Sequence, residues 1–579
     1  MPQLLVLCFA IFSLVFAPSI PGATRPPAKK APLTLRQKVA QLVVVSFSGD
    51  LPNARSRQYR RLVRLVRDDQ VGGLILISRT NNGIQRADPL KLAAFLNRMQ
   101  AMARIPLLVA SDFERGASMR VDDAPQFPHA MAFSAGEGLE ASRYLGAETA
   151  REARALGVHW IFAPVADVNS NPDNPIINIR SFGEDPRMVA EHVSAFLAGA
   201  KSDSHSKVLT TVKHFPGHGD TSVDSHLALS SISSDKARLE RVELVPFRAA
   251  IAEGVDSVMT GHISVPALDT PNIPATLSPK ILTGLLRDEL KFQGLIVTDA
   301  LDMGGIANGH SGGEAAVRAL EAGADVLLMP ADPEAAIRAV LAAVRAGRLT
   351  VKRIDQSLNR VLAAKQSLGL DRNRLVDLKS VAAVINAPGV IARAQVVAER
   401  AVTLVKNQGA AVPLRNAANA CFVVLSESRN SKEGQAIVQE LPKRAEAAPV
   451  FSLDPSMPDS EVDATALKAS GCGQIVVMAF ASTAAYPNGQ ALPGSFPALV
   501  DRLIASGRPV TLVSLGSPYL VRRFPAVSAY LTTYSPVATS EVAAVKALFG
   551  EIDISGHLPV TIPGVANMGF GMSLPRSVH

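Results

Sequence analysis

The sequence predicts a (β/α)8 barrel followed by a smaller open α/β sandwich domain. About eight short apolar runs lie between residues 40 and 330, and helix-length segments separate them. The runs do not alternate apolar and polar residues, which is typical of parallel strands that are buried on both faces. Polar or charged residues follow run after run, at the strand ends where such barrels gather their functional groups.

The barrel is predicted to occupy residues 34–370. The eight predicted strands lie, in chain order, within residues 43–45, 74–77, 106–110, 159–165, 208–212, 256–260, 294–298 and 325–329.

The pattern changes after residue 370, where a polar stretch at 371–374 opens a predicted interdomain linker that runs to residue 390. A helix is predicted over 391–406, and strand candidates at 422–425, 475–478 and 510–513 alternate with amphipathic stretches. Residues 391–579 are therefore predicted to form the open α/β domain. A chain of 579 residues that is 47% hydrophobic and 19% charged is typical of two globular domains. The sequence leaves open whether the second domain only supports the barrel or overhangs its site.

The first 22 residues are predicted to be a secretory signal. The apolar run at 4–16 is too short to span a bilayer, and Pro18, Pro21 and Gly22 follow it. We therefore expect a secreted or periplasmic protein, with residues 23–33 as a flexible linker. No Lys or Arg precedes the apolar run, so an uncleaved membrane anchor remains an alternative.

Two cysteines, Cys421 and Cys472, remain after the signal. One pair is too few to define a disulfide framework, so we expect two buried thiols. A net charge of +8 suits anionic polymers, but the basic residues are dispersed and aromatic residues make up only 5% of the chain. No nucleic-acid partner is predicted.

The most chemically dense segment is residues 213–226, which contains one lysine, three histidines and two aspartates. His214 and His218 have the spacing of a zinc-binding helix, but Pro216 and Gly217 lie between them and prevent that helix. The segment is therefore predicted to be a catalytic loop, and no metal or cofactor is predicted.

Other polar residues follow the neighbouring predicted strands. Asp112 and Glu114 follow the third strand, Arg180 comes after the fourth, and Asp299 follows the seventh. Because the carboxyl ends of barrel strands meet at one face, we expect these side chains to share one site with residues 213–226.

The segment Lys-His-Phe-Pro-Gly-His-Gly at 213–219, with Asp224-Ser225-His226, resembles the signature of β-N-acetylglucosaminidases in glycoside hydrolase family 3. Segments at 34–42, 163–169, 180–183, 297–301, 549–551 and 558–561 resemble the same family. The resemblance covers essentially the whole mature chain.

The resemblance implies a retaining two-step mechanism with Asp299 as the nucleophile. A carboxylate at the end of a buried strand suits that role because it is rigidly placed. Asp302, three residues later, is the alternative nucleophile. His226 would serve as acid and base, with Asp224 orienting its imidazole, because a free imidazole titrates near neutral pH. The alternative is that Asp224 and His226 only hold a loop in place.

The resemblance also assigns the sugar-binding residues. Asp112, Arg180, Lys213 and His214 are expected to surround one sugar, and Arg120 and His262 are weaker candidates. Each has a structural alternative: Asp112 could cap a turn, Arg180 could pair with Asp167 or Glu184, and His214 could be an interior histidine. The substrate implied is GlcNAc linked to a cell-wall sugar, or a chitin-derived oligosaccharide.

One segment departs from the family pattern. An Asp-Gln-Glu-Gly-Gly-Arg type segment appears here as Asp112-Phe113-Glu114-Arg115-Gly116-Ala117, which leaves the accepted leaving group open. Rival functions are a phosphorylase or transglycosylase that uses the same intermediate, and a family 3 β-glucosidase. A non-catalytic carbohydrate-binding protein and a metal-dependent hydrolase are also open.

Overall fold

The computed structural model describes residues 32–49, 51–80, 83–482 and 492–577. The predicted signal at 1–22 and most of the predicted linker at 23–33 lie outside the described residues. The chain forms a barrel and a second domain with its own mixed sheet, which confirms the predicted fold class.

The barrel contains eight parallel strands whose order around the sheet follows the chain. They are β1 Val43–Ser48, β2 Gly73–Ile77, β3 Leu108–Ser111, β4 Trp160–Ile161, β5 Leu209–Phe215, β6 Ser257–Thr260, β7 Leu295–Thr298 and β8 Leu327–Leu328. Strand β8 pairs with β1, and a bridge between Val297 and Val326 joins β7 to β8, so the barrel closes. Every predicted run overlaps one strand, because burial on both faces requires continuous apolar sequence.

Helices surround the barrel and connect its strands. They are Leu35–Ala40, Arg57–Arg64 with a π-helical turn Leu65–Asp69, Pro89–Met102, Ala130–Gly136, Leu139–Leu156, Pro186–Ala200, Lys236–Arg241, Val245–Ala252, the π-helical Lys280–Glu289, Gly304–Ala307, Gly312–Ala322, Pro333–Arg345, Val351–Ser367 and Val381–Ile385. Helix Pro186–Ala200 shows how the sequence sets these bounds. Its N-cap Asp185 accepts hydrogen bonds from the amides of Arg187 and Met188, and proline occupies its first turn.

The second domain contains a six-stranded sheet. Its strands are β9 Thr403–Asn407, β10 Ala420–Leu425, β11 Val450–Leu453, β12 Gln474–Ala481, β13 Val510–Gly516 and β14 Ala529–Thr532. The order is β9-β14-β13-β12-β10-β11, and all neighbours are parallel except β9 and β14. Helices Pro388–Ala401, Gln435–Glu440, Asp459–Ser470, Phe496–Ala505 and Ala538–Leu548 accompany the sheet. The helix predicted over 391–406 ends at Ala401, because its last residues belong to β9.

Cys421 and Cys472 form a disulfide, so the expectation of two separate thiols was wrong. Cys421 lies on β10, and Cys472 lies two residues before β12, the neighbouring strand. The strand register pairs Cys421 with Ile475, which brings the two sulfur atoms together. The sequence separation of 51 between the two cysteines hid this proximity.

The two domains share an extended interface. The apolar segment Val381–Ala401 is long enough to cross a membrane by length and composition, but it is divided between two helices. Buried side chains from both helices, including Val381 and Val397, belong to the core of the barrel domain. Glu184 of the barrel accepts two hydrogen bonds from Thr561 of the second domain, at 2.8 Å from the amide and 2.6 Å from the hydroxyl.

Candidate active site

The polar residues predicted to share a site lie at the carboxyl end of the barrel. Asp112 follows β3 directly, Lys213 and His214 lie in the last residues of β5, and Asp299 follows β7 directly. Their strands are fixed by buried apolar residues, so each polar side chain starts from a rigid backbone position.

Lys213 lies at the centre of an ion-pair network. Its Nζ lies 2.7 Å from Asp112 Oδ1 and 2.8 Å from Glu114 Oε1, and its side chain is only 2% exposed. Arg180 donates two hydrogen bonds to Glu114, from Nη2 at 2.7 Å and from Nε at 3.1 Å. Arg120 Nη2 lies 3.3 Å from Asp112 Oδ2. Three predicted sugar-binding residues, together with Arg120, therefore belong to one network.

The network keeps its acids ionised in spite of their burial. Burial acts to raise the pKa of Glu114, but Arg180 and Lys213 outweigh it and hold that pKa well below its ordinary value. The pKa of Asp112 is also lowered, because Lys213 and Arg120 outweigh the effect of burial. Burial would lower the pKa of Lys213, yet the two carboxylates raise it. Charged groups of this kind make strong hydrogen bonds to neutral hydroxyl groups.

His214 is held by a second buried carboxylate. Its Nδ1 donates to Asp167 Oδ2 at 2.7 Å, and Asp167 Oδ1 accepts from the amides of His214 at 3.1 Å and His218 at 2.7 Å. The Nε2 of His214 lies 3.5 Å from Arg180 Nη2 and so faces the network. His218 uses both ring nitrogens on Thr221 and Ser225, which is consistent with a role in shaping the loop.

Asp299 is half-buried, and its Oδ1 accepts a hydrogen bond from the amide of Ala300 at 2.8 Å. Its other oxygen has no hydrogen-bond partner among the described residues. Burial acts to raise its pKa, but the imidazoles of His214, His262 and His226 lower it below the ordinary value. By contrast, burial and the charge of Asp299 raise the pKa of Asp302. Asp299 is therefore the better placed of the two to remain ionised.

Asp224 and His226 form a pair on the loop after β5. Nδ1 of His226 donates to Asp224 Oδ1 at 2.8 Å, and the amide of His226 donates to the same oxygen at 2.8 Å. The other ring nitrogen, Nε2, has no hydrogen-bond partner among the described residues, and the side chain is 46% exposed. The His226 charge lowers the pKa of Asp299, so the two groups lie near enough to interact.

The loop that carries His226 is tied to the segment that follows Asp299. The amides of Gly304 and Gly305 donate to the carbonyls of His226 at 3.0 Å and Ser225 at 3.1 Å. A Cβ at Gly304 would lie 2.5 Å from the carbonyl oxygen of Leu227 and 2.8 Å from that of His226. Glycine is required here because the two backbones approach so closely.

His262 lies beneath the site. It is fully buried, its Nδ1 lies 2.8 Å from Thr276 Oγ1, and its Nε2 donates to the carbonyl of Ala300 at 2.9 Å. Both ring nitrogens are thus used by the protein. His262 therefore supports the backbone beside Asp299 and offers no free nitrogen to a sugar, contrary to its weaker assignment as a sugar-binding residue.

The second domain helps to position Arg180. Arg180 ends the short 3-10 turn Asn178–Arg180, and Ile179 packs into a core cluster formed mainly by second-domain residues. Asn178 Nδ2 also donates to Ser517 Oγ at 3.3 Å, and Asn169 Nδ2 donates to Tyr519 at 3.1 Å.

Sequence reasoning did not give the partners of two carboxylates of the site. Glu114, rather than Asp167 or Glu184, pairs with Arg180, and Asp167 instead holds His214. The signal for Glu114 was its spacing of two residues from Asp112. The signal for Asp167 was its position shortly after β4. Neither signal specifies a partner, because the partners come from other strands.

Two models of one protein family match the two domains of this chain. The model of the glycosyl hydrolase family 3 N-terminal domain matches residues 34–364, more than half of the chain. This chain belongs to glycosyl hydrolase family 3. The family's C-terminal domain model matches residues 402–573. The family resemblance noted in the sequence is thereby confirmed, and the chain is a glycoside hydrolase.

Two of the similar proteins match nearly the whole chain, and a third matches a little more than half of it. A solved glycoside hydrolase family 3 β-N-acetylglucosaminidase from Paenibacillus sp. str. FPU-7 is 32% identical, with a TM-score of 0.79, covering 91% of this chain and 99% of the other. β-Hexosaminidase A from Pseudoalteromonas piscicida is 29% identical over 92% of this chain and 98% of its own length. A β-N-acetylglucosaminidase/β-glucosidase from Cellulomonas fimi is 34% identical over 60% of this chain and 62% of its own.

Proposed function

We propose that this protein is a retaining β-N-acetylglucosaminidase. It would release terminal, non-reducing β-linked GlcNAc from peptidoglycan fragments or related amino-sugar oligosaccharides. The observation that carries the proposal is the Asp224–His226 pair, with Nε2 of His226 free at a site that contains an ionised Asp299. The names of the relatives, β-N-acetylglucosaminidase and β-hexosaminidase, support the same substrate class.

The first step transfers the sugar to Asp299. The free carboxylate oxygen of Asp299 attacks the anomeric carbon, and the bond from that carbon to the leaving oxygen breaks. His226 Nε2 donates its proton to the leaving oxygen as the charge develops, so the leaving group departs as an alcohol. Asp224 holds the Nδ1 proton and stabilises the cationic form of the ring before the transfer.

The second step returns the enzyme to its starting state. His226 Nε2, now unprotonated, accepts a proton from water, and the water oxygen attacks the anomeric carbon. The bond from that carbon to Asp299 breaks, which releases GlcNAc and the free carboxylate. One imidazole thus serves as acid and then as base.

The ion-pair network would hold the sugar during both steps. Asp112 would accept hydrogen bonds from ring hydroxyls, and Arg180, Lys213 and His214 would lie around the same ring. Arg120 would act partly through Asp112, since it donates to that carboxylate and to Ser78 Oγ at 3.0 Å. Fixed charges of this kind orient a substrate without reorganisation during the reaction.

The disulfide supports a secreted or periplasmic location. Disulfides persist in oxidising compartments and are rare in the cytosol, and the Cys421–Cys472 bond lies between neighbouring strands of the second domain. The predicted signal at 1–22 agrees with this placement.

The test compares release of an aryl alcohol from aryl β-GlcNAc and aryl β-glucoside, by the wild type and by Asp299→Asn, with and without inorganic phosphate. The proposal predicts GlcNAc release that Asp299→Asn abolishes and that phosphate does not change. A GlcNAc 1-phosphate product would indicate a phosphorylase, and preference for the glucoside would indicate a β-glucosidase. Retained activity in Asp299→Asn would contradict the nucleophile assignment.

A further inference from the structure

The loop between Asp112 and Arg120 carries a buried charge that lacks a partner. Arg115 is only 8% exposed, and no carboxylate of the described residues lies within 4 Å of its guanidinium. Its one hydrogen bond goes from Nη1 to Ser118 Oγ at 3.2 Å, and its buried Nε has no partner. Buried charges in proteins are normally paired, because an unpaired one is costly.

Two more arginines lie beside Arg115. A backbone bridge pairs Ala87 with Val121, and the amide of Ala87 donates to the carbonyl of Arg120 at 2.8 Å. This bridge brings Arg86 and Arg120, which precede the paired residues, to the same side of the site. The Nε atoms of Arg86 and Arg120 are also buried without a partner. We call Arg86, Arg115 and Arg120 the arginine cluster.

The carboxylates near the arginine cluster are already shared. Asp112 lies between Lys213 and Arg120, and Glu114 lies between Lys213 and Arg180. Asp122, which attracts Arg86, also faces Lys432 of the second domain at 3.9 Å. Positive charge therefore exceeds negative charge on this side of the sugar pocket.

The pKa values of the cluster are consistent with this excess. Burial lowers the pKa of Arg115 to about 9, the charges of Arg86 and Arg120 act in the same direction, and the charge of Glu114 opposes them. The pKa of Arg86 is also lowered, first by burial. Glu152, which accepts a hydrogen bond from the amide of Ala117 at 2.8 Å, forms no ion pair with Arg115. The shared carboxylates therefore offset the positive charge of the cluster only in part.

We propose that the arginine cluster binds an oxyanion, of the phosphate or carboxylate type, at the edge of the sugar pocket. Arg120 connects the cluster to Asp112, so the oxyanion would lie beside the sugar that Asp112 holds. This deepens the proposed function and rests on it for the identity of the sugar. The oxyanion could be a substituent of the substrate or a free phosphate ion. The Asp-Gln-Glu-Gly-Gly-Arg pattern has glycine at the position of Arg115, so Arg115 is a departure of this chain from that pattern.

The first test measures binding without turnover. Thermal unfolding is followed in sodium sulfate and in sodium chloride at equal ionic strength, for the wild type, Arg115→Gln, Arg86→Gln and the control Arg104→Gln. Arg104 is an exposed arginine four residues before β3, at the opposite end of the strand that Arg115 follows, and it has no ion pair among the described residues. General stabilisation by sulfate acts on all four proteins alike, so only differences between them count.

For each protein, the shift is the melting temperature in sulfate minus that in chloride. The proposal predicts that this shift is larger in the wild type and in Arg104→Gln than in Arg115→Gln, by about 2 °C or more. Arg86→Gln should lose part of the same shift. In chloride, Arg115→Gln should melt no lower than the wild type, since the substitution removes an unpaired buried charge. Equal sulfate shifts in all four proteins would overturn the proposal.

The second test identifies the source of the oxyanion. The ratio of kcat/KM for aryl 6-phospho-β-GlcNAc to kcat/KM for aryl β-GlcNAc should fall about 10-fold in Arg115→Gln if the oxyanion is a substituent. Formation of GlcNAc 1-phosphate that Arg115→Gln reduces about 10-fold would identify free phosphate instead, and it would replace hydrolysis by phosphorolysis as the reaction. If Arg115→Gln changes neither the kcat/KM ratio nor the formation of GlcNAc 1-phosphate, sulfate is an adventitious ion only. The proposal of a functional oxyanion site then fails. Since the thermal test needs no turnover, a positive shift without GlcNAc release would reject the proposed function and leave the site in place.

Discussion

Partly or fully buried carboxyl groups occur at the barrel mouth and in the second domain, but their pKa values are shifted in opposite directions. At the barrel mouth the pKa values of Asp112, Glu114 and Asp299 are lowered, and cations or imidazoles surround each group. Burial acts to raise all three, so the neighbours decide the outcome. Each of these acids is thereby kept ionised.

The second-domain acids are Glu427, Glu433 and Glu541. Glu427 accepts a hydrogen bond from the amide of Ser482, and Glu433 accepts one from the amide of Glu427 at 2.9 Å. No cation lies within 4 Å of any of the three among the described residues. Burial raises the pKa of Glu427 and of Glu541 to about 7. Burial, helped by the charge of Glu433, therefore favours the neutral acid, and the proposed nucleophile Asp299 needs the partners that the barrel supplies.

The largest effect on turnover in this comparison is expected from Glu114→Gln. The substitution removes the charge that Arg180 and Lys213 share, so both cations lose a partner and the proposed sugar pocket is distorted. We expect kcat/KM to fall on the order of 10²-fold and the free energy of unfolding to fall by about 3 kcal/mol. Steady-state kinetics and urea unfolding measure the two effects.

The matched control is Glu427→Gln, the same isosteric change at a partly buried acid that has no cation within 4 Å among the described residues. It should leave kcat/KM close to that of the wild type. A large loss of turnover in this variant, selective for poor leaving groups, would instead assign the general acid to the second domain.

The next largest effect on turnover is expected from Gly304→Ala. The new methyl group collides with the carbonyls of His226 and Leu227, so it displaces the loop that carries His226. We expect kcat to fall about 10-fold, with a greater loss on substrates with poor leaving groups. Gly312→Ala is the control, because a Cβ there meets nothing within 4 Å. Equal rates in the two variants would show that the backbone contact does not position His226.

Removal of the disulfide should affect stability far more than turnover. A closed loop of this size predicts a loss of about 4 kcal/mol in unfolding free energy for Cys421→Ser with Cys472→Ser, on the chain-entropy model. The bond lies in the second-domain sheet and outside the ion-pair network of the site. Calorimetry and kinetics below the melting transition measure both quantities. Unchanged stability would show that the disulfide contributes nothing to the domain.

Substitution of the second-domain acids should have the smallest effect on turnover. It should instead change how the stability of the protein depends on pH. The folded-state pKa of Glu427 is raised to about 7, so the folded protein keeps a proton that the unfolded chain releases above its ordinary pKa of about 4.3. Stability from this group is therefore fully present below pH of about 4 and decreases until pH of about 7. Glu427→Gln should flatten that decrease in unfolding experiments across this range. An unchanged profile would contradict the raised pKa.

Much of the fold could be predicted from the sequence, because strands buried on both faces need continuous apolar runs. All eight barrel strands and three of the six second-domain strands overlap predicted runs. Strands β9, β11 and β14 were not predicted. The sequence also placed Asp299 directly after β7 and His226 beside Asp224.

The contacts between residues that are distant in the sequence could not be predicted from apolar runs. The pairing of Glu114 with Arg180, of Asp167 with His214 and of Cys421 with Cys472 depends on which strands become neighbours. A local pattern carries no information on that point. The burial of His262, which uses both of its nitrogens within the protein, was hidden for the same reason.

The most direct test of the central claim measures how the rate depends on the leaving group in His226→Ala. Substrates would be aryl β-GlcNAc derivatives whose phenol pKa values span several units, together with a GlcNAc disaccharide. If His226 protonates the leaving oxygen, the variant should cleave derivatives of acidic phenols at nearly the wild-type rate and lose on the order of 10²-fold or more on the disaccharide. Equal losses across the whole series would show that His226 is not the acid, and the Asp224–His226 mechanism would have to be abandoned.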